Sequence, residues 1–222
     1  MVQPNKIIRT SRRTLSLSIS KNGELIVRAP RRLSLDYIFQ FIQQKEKWIN
    51  NKQRSIKDNM SFNYDVINYN KFLVLGKLYS KKEINKVKQA EMVSNEIIVP
   101  STEDSLRQLR AVERLYIKMA RELLFERTEY FASLMKLNYE TLKIIRSHSK
   151  WGSCDAKGNI KLNYKTIMLS PKVVDYIVIH ELSHLIEMNH SKEFYRVVEA
   201  VMPNWIEQRT ELKKMNFLLQ LF

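Results

Sequence analysis

The hydrophobic and polar positions of this chain change period from block to block, and the blocks predict an α+β fold. Residues 14–20 alternate, with Leu15, Leu17 and Ile19 on one face, which is the pattern of a half-buried strand. Lys21-Asn22-Gly23-Glu24 contains the Asn-Gly pair that favours a tight hairpin turn, and Leu25 to Ala29 forms the return strand, closed by Pro30. Ser34 then caps a helix expected to run to about Arg54, with Leu35, Ile38, Phe39, Ile42 and Trp48 as its buried face. Polar residues over 55–70 read as a linker. Short strands are expected over 71–75, 77–84, 86–92 and 96–99, with Gly76 as a turn or bulge and Pro100 as the end of the region.

The second half changes to helical spacing. Residues 105–136 form one long helix with Leu106, Leu109, Val112, Leu115, Tyr116, Met119, Leu123 and Leu124 inward. Residues 142–151 read as a strand, 155–159 as a turn and 160–164 as a second strand. Ser170-Pro171 opens a helix expected over about 171–189, with serine as cap and proline at the first helical position. Ser191 opens another to about Met202, Pro203 breaks it, and a last helix covers Trp205 onwards. The division expected is a small β-rich lobe with one helix over 1–100, then a region over 101–222 built around the 171–189 helix.

Composition narrows the class. With 222 residues, 44% of them hydrophobic, the chain suffices for one domain or one domain with a small extra lobe. Cys154 is the single cysteine, so no disulfide framework is expected and a reducing compartment fits. No apolar run reaches the length of a membrane helix, and the N-terminal residues lack the apolar core of a signal peptide. The acid-free N-terminal stretch contains Arg and Ser, as transit peptides do, but its strand-like alternation argues against one. The expected location is therefore cytoplasmic, with no membrane partner. The net charge of +15 is uneven: residues 1–60 contain 13 basic and 4 acidic side chains, whereas 101–140 balance at seven each. The N-terminal third is thus a basic surface able to attract nucleic acid, nucleotides or acidic chains, although a merely solvated face accounts for it equally well.

The chemistry concentrates between His180 and His190. Three of the chain's four histidines lie within these eleven residues, in the pattern H-E-x-x-H with a further His after it. On a helix His180 and His184 are one turn apart on one face, so both imidazoles reach one ion. Zinc accepts neutral imidazole nitrogen, and three protein ligands leave a fourth position for water, which is the catalytic pattern. Glu181 sits next to the first ligand and is the candidate general base for that water. His190 reaches the ion only if the helix ends near Met188-Asn189. Asn189 tolerates the left-handed conformation, and Ser191 can cap a new helix. Glu193 and Glu199 are the alternative third ligands.

An ordered series of motifs resembles a known family. It comprises Ser149-Lys150-Trp151-Gly152-Ser153-Cys154, Gly158-Asn159-Ile160, Leu162-Asn163, Asp175-Tyr176, His180-Glu181-Leu182-Ser183-His184, and Asn189-His190-Ser191 with Phe194. Arg13 to Leu17, Arg28-Ala29-Pro30 and Leu75-Gly76-Lys77 extend it over nearly the whole chain. The series is similar to the YgjP-like metallopeptidases, relatives of the SprT-like and WLM zincins. The resemblance implies a zincin-like metallopeptidase core, an H-E-x-x-H helix beside a small sheet, within 101–222. It implies one Zn2+ per chain held by His180, His184 and His190, with Glu181 as catalytic acid/base. It also implies that Trp151, Gly152 and Ser153 lie near a cleft where an extended peptide adds to an edge strand, with Gly152 allowing close backbone approach. Tyr195 stands where the family has tryptophan. His148, Arg146 and Tyr195 are candidate oxyanion donors. Glu187, Glu193 and Asp175 are candidates for the carboxylate behind a ligating histidine. Trp151 filling the core and Cys154 as a small buried hydrophobe are the structural alternatives.

The function expected is a zinc-dependent hydrolase, foremost a cytosolic metallopeptidase acting on a peptide or protein. The runner-up is a metal-dependent nucleoside triphosphate pyrophosphohydrolase with the basic lobe holding the nucleotide. A third reading is a nucleic-acid-binding protein with a structural zinc, disfavoured because such sites are closed by four ligands and are often cysteine-rich.

Overall fold

The computed structural model describes residues 2–20, 23–54, 56 and 69–222. The chain divides into two compact units, residues 1–68 and residues 69–222. Both mix strands and helices, as the periodicity predicts. Among the described residues no helix is long and apolar enough to cross a membrane.

The first unit holds β1 (Lys6–Thr10), β2 (Ser16–Ile19), β3 (Leu25–Pro30) and α1 (Leu35–Gln44). β3 is central, with β1 parallel on one side and β2 antiparallel on the other. Leu25, Val27 and Ala29 alternate inward from β3 and meet Ile38, Ile42 and Ile49. The expected return strand is therefore present, while the turn tip Lys21-Asn22 lies outside the described residues, as does most of the expected linker. The helix breaks at Lys45 and resumes over 46–54. Its buried stripe is Ile38, Ile42 and Ile49. Leu35 and Trp48, expected inside, are 51% and 46% exposed. Leu35 is the first residue of α1, and Trp48 is about 100° round the helix from Ile49 of the stripe. β1 has no alternation to announce it; its strand character comes from pairing with β3.

In the second unit, β4 (Lys71–Val74), β5 (Lys77–Ile84), β6 (Glu91–Val93) and β7 (Glu96–Pro100) form a sheet in the order β4-β5-β7-β6. The long helix α2 (Ser105–Met135) comes next, capped by Asp104 and ended by Lys136 in the left-handed region. The sheet is tied to residues beyond it in sequence. Tyr116 donates its hydroxyl to the Leu73 carbonyl at 2.9 Å, Gln108 donates to the Pro100 carbonyl at 3.0 Å, and Leu75 N donates to the Ile167 carbonyl at 2.7 Å. That is why the compact units part after Asn68 and not at the expected residue 100. The buried face of α2 mixes small and large side chains: Ala111, Ala120 and Ala132 lie there beside Val112, Tyr116, Leu124 and Phe131, whereas Leu106 is 62% exposed.

A second sheet of three strands, β8 (Thr141–Ile145), β9 (Gly152–Cys154) and β10 (Asn159–Asn163), has β10 in the middle. The strand expected over 142–151 ends at Ile145; residues 146–151 form a loop, and β9 starts only beyond it at Gly152. Buried Asn163 explains the departure, because its side-chain amide donates to the carbonyls of Ser147 and Lys150, both at 2.9 Å, and holds the loop out of the ladder. A 3-10 turn (Tyr164–Met168) leads to α3 (Pro171–Ser183), α4 (Lys192–Val201), α5 (Trp205–Lys214) and a last 3-10 turn (Met215–Gln220).

Candidate metal centre

α3 buries Val173, Val174, Ile177, Val178 and Ile179 on several sides, which fixes its rotation. His180 and Glu181 lie in its last turn, and His184 caps it. The helix expected to reach residue 189 stops at Ser183, whose hydroxyl turns back onto the Ile179 carbonyl at 2.7 Å. None of residues 184–191 takes a positive φ, so the turn does not use Asn189 in the left-handed region. Ser191 accepts a hydrogen bond from Phe194 N and starts α4 as expected. The early stop swings His190 back toward the helix.

The outcome is a cluster of His180, His184 and His190 whose ligand nitrogens all lie within 4.8 Å of one another. Nε2 of His180 and Nε2 of His190 face each other at 2.9 Å. Phe194, fully buried, floors the cluster, its ring centroid 4.8, 4.6 and 4.9 Å from those of His180, His184 and His190. Glu193 and Glu199 are absent from the cluster, in which His190 is the third member.

The donor set suits a metal ion. Burial drives the His180 pKa down to about 3, with His184, His190 and Arg209 adding to the effect, and burial lowers His184 as well. Both rings are therefore neutral at pH 7, the state a metal requires. His184 Nδ1 lies 3.2 Å from the Glu187 carbonyl, which fixes the proton there and leaves Nε2 its lone pair. The buried Nδ1 of His180 has no hydrogen-bond partner. A cluster of three imidazoles with a buried, unpartnered nitrogen is poorly satisfied by protein alone and well satisfied by zinc.

Glu181 is 6% exposed, and burial pushes its carboxyl up to about 8, opposed by the charge of Lys150. A cation at the histidines would pull it back toward the carboxylate. Its side chain lies against Gly152 of β9. A Cβ at Gly152 would stand 2.5 Å from Glu181 Oε1 and 2.8 Å from Cδ. The glycine thus makes room for the acid of the site, where the expectation was room for an incoming backbone. Both residues line a cleft of about 190 Å³ with Trp151, Tyr176, Ile177, His180 and Leu212.

The other expected site residues are dispersed. Trp151 lines the cleft and is 8% exposed, its indole N–H donating to Asn216 Oδ1 at 2.9 Å. Ser153 Oγ accepts from Lys150 Nζ at 3.2 Å on the edge strand β9. His148 is absent from the cleft lining, its Nδ1 3.2 Å from the Leu219 carbonyl. Arg146 is paired with Glu113 at 2.9 Å. Tyr195 stacks on Trp205 at 4.5 Å, and its ring is 6.4 Å from that of His190. None of the three candidate carboxylates backs a histidine. Asp175 takes Arg127 in two bonds of 2.7 and 2.9 Å, Glu193 meets Arg196, and Glu187 accepts from Asn189 N. The Glu187 backbone carbonyl does that work for His184. Burial pushes the Cys154 thiol up to about 11, with Glu181 and Asp155 adding to it, so it stays protonated and unreactive. Tyr176 and Leu212 were missed. Tyr176 precedes His180 by one turn, and continuing the i, i+4 spacing backwards would have found it.

Residues 13–215 match the family described as YgjP-like, metallopeptidase domain. The solved metallopeptidase zymogen of Pyrococcus abyssi abylysin is 26% identical, covering 43% of this chain and 94% of its own, with a TM-score of 0.38. That of Methanocaldococcus jannaschii jannalysin is 19% identical, covering 43% of this chain and 96% of its own, with a TM-score of 0.37. No curated protein matches the chain.

Proposed function

The chain belongs to the YgjP-like metallopeptidase family, and from that premise we propose that it is a zinc-dependent peptidase with His180, His184 and His190 holding one ion and Glu181 as general base. The observation that supports this best is the placement of Glu181, buried in the same cleft as His180 and fitted against the bare backbone of Gly152. α3 beside the β8-β10-β9 sheet then serves as a zincin-like core.

When bound, zinc supplies a Lewis acid and lowers the pKa of a coordinated water toward ~7. The chain's own groups do the rest. Glu181 takes a proton from the attacking water on a carboxylate oxygen and returns it to the leaving amine. Trp151, Ile177 and Leu212 exclude bulk water from the cleft, which strengthens each electrostatic contact inside it. β9 is an edge strand and offers its outer backbone to an extended peptide.

Elemental analysis of wild type and His184→Ala, with hydrolysis of an unfolded protein and of nucleoside triphosphates, tests this reading. About one zinc per chain, lost in His184→Ala, and peptide hydrolysis falling by roughly 10²–10⁴-fold in Glu181→Gln are expected. Wild type that binds no stoichiometric metal, or consumes only the triphosphate, would overturn it.

A further inference from the structure

Arg209 is a cation near the cleft that neither the histidine cluster nor Glu181 accounts for. It lies on α5, three residues before Leu212, which lines the cleft with His180 and Glu181. Its guanidinium is held over the Tyr195 ring at 5.2 Å and the Trp205 ring at 5.8 Å, and those two rings stack on each other. Tyr195 in turn faces His190.

Among the described residues no carboxylate pairs with Arg209 and no acceptor takes its N–H groups, although acids stand close in sequence. Glu207 is exposed, and Glu211 accepts from the Ser170 hydroxyl at 2.8 Å. Stacking fixes the plane and position of the guanidinium while leaving its donor edge unused. That is how an arginine is prepared to take a carboxylate in two parallel bonds. No hydrogen bond or ring contact joins Arg209 to any of the three histidines, so it suits a group beside the reacting carbonyl rather than the carbonyl itself.

We propose that Arg209 is a specificity-determining residue whose guanidinium, supported on Tyr195 and Trp205, binds a carboxylate of the peptide substrate. This rests on the peptidase reading above. The carboxylate is either the peptide's C-terminus or an Asp/Glu side chain, and the two are separable by experiment.

The test uses the full chain, zinc-loaded, and two pairs of short fluorescent Ala/Leu peptides. One pair differs only in a free or amidated C-terminus, the other only in an internal Glu or Gln. Binding is read by anisotropy in Glu181→Gln, which does not turn the peptides over, and cleavage is read in wild type. We expect the acid-bearing member of one pair to bind roughly tenfold tighter than its neutral twin, the scale of one charge-assisted contact. That gap should close to within about twofold in Arg209→Met and persist in part in Arg209→Lys, with zinc content unchanged in both. The pair that shows the effect identifies the carboxylate. Cleavage of the neutral peptides without preference for either acid would overturn the Arg209 assignment alone, as would a gap that survives Arg209→Met. Failure of wild type to bind or cleave any of the four peptides would remove the peptidase reading, and this inference with it.

Discussion

At the scale of single residues the cleft depends on what is left out at Gly152. Glu181 is buried only because no Cβ occupies that space. Gly152→Ala puts a carbon 2.5 Å from Glu181 Oε1 and must displace the carboxylate. Misplacing a catalytic group by about 1 Å costs on the order of 10²-fold in rate. Gly152→Ala should therefore lose about that much kcat while keeping its zinc and its circular dichroism spectrum. A variant of wild-type activity would show that Glu181 does not need this position. Phe194 is the second such residue, since three imidazoles rest on one buried ring. Phe194→Ala should cost about 3–5 kcal/mol of folding stability in urea titration. It should also weaken zinc binding, because the cluster loses its floor.

At the scale of elements the decisive unit is α3, the turn after it and α4. The turn returns His190 to the ring faces of His180 and His184, and Ser191 fastens its far end by capping α4. Ser191→Ala removes one cap bond and should destabilise by about 1 kcal/mol. The same change frees His190, so zinc affinity measured by chelator competition should fall more than the lost stability alone accounts for. Equal affinity in the variant would show that His190 is held by other contacts. The spacing of His180, Glu181 and His184 announces their shared helical turn. The path of His190 is not announced, because the helix gives way to turns after Ser183 although the sequence there has no glycine or proline to mark the stop. The loop before β9 has the same character. Its residues are expected to continue the strand, but a distant asparagine, Asn163, takes the carbonyls of Ser147 and Lys150 away from the ladder.

At the scale of the whole molecule the histidine cluster, the cleft and Arg209 all fall within residues 69–222. Zinc that binds only the folded form adds stability by mass action, about 2.7 kcal/mol at a hundred times its dissociation constant. Trp151 and Trp205 lie in this unit and Trp48 in the other. In a Trp48→Phe protein, tryptophan fluorescence should therefore show zinc raising the urea midpoint and a chelator lowering it. His184→Ala should show no such shift. A midpoint indifferent to zinc in the parent protein would mean that the three histidines do not bind it in the folded state.

The sequence by itself determined the α+β class, the elements with a clear period, and the two histidines one helical turn apart. Amphipathic spacing and the one-turn separation of two histidines are local properties, and local geometry alone expresses them. Tertiary structure alone decided that β4 to β7 pack with the long helix, that Leu35 and Trp48 face outward, and that Glu181 meets Gly152. It also decided that the carbonyl of Glu187, not its carboxylate, orients His184. Each of these rests on a contact between residues whose partner is chosen by how whole elements pack or how a turn closes. Hydrophobic pattern records which residues seek burial, but not which neighbour they find there.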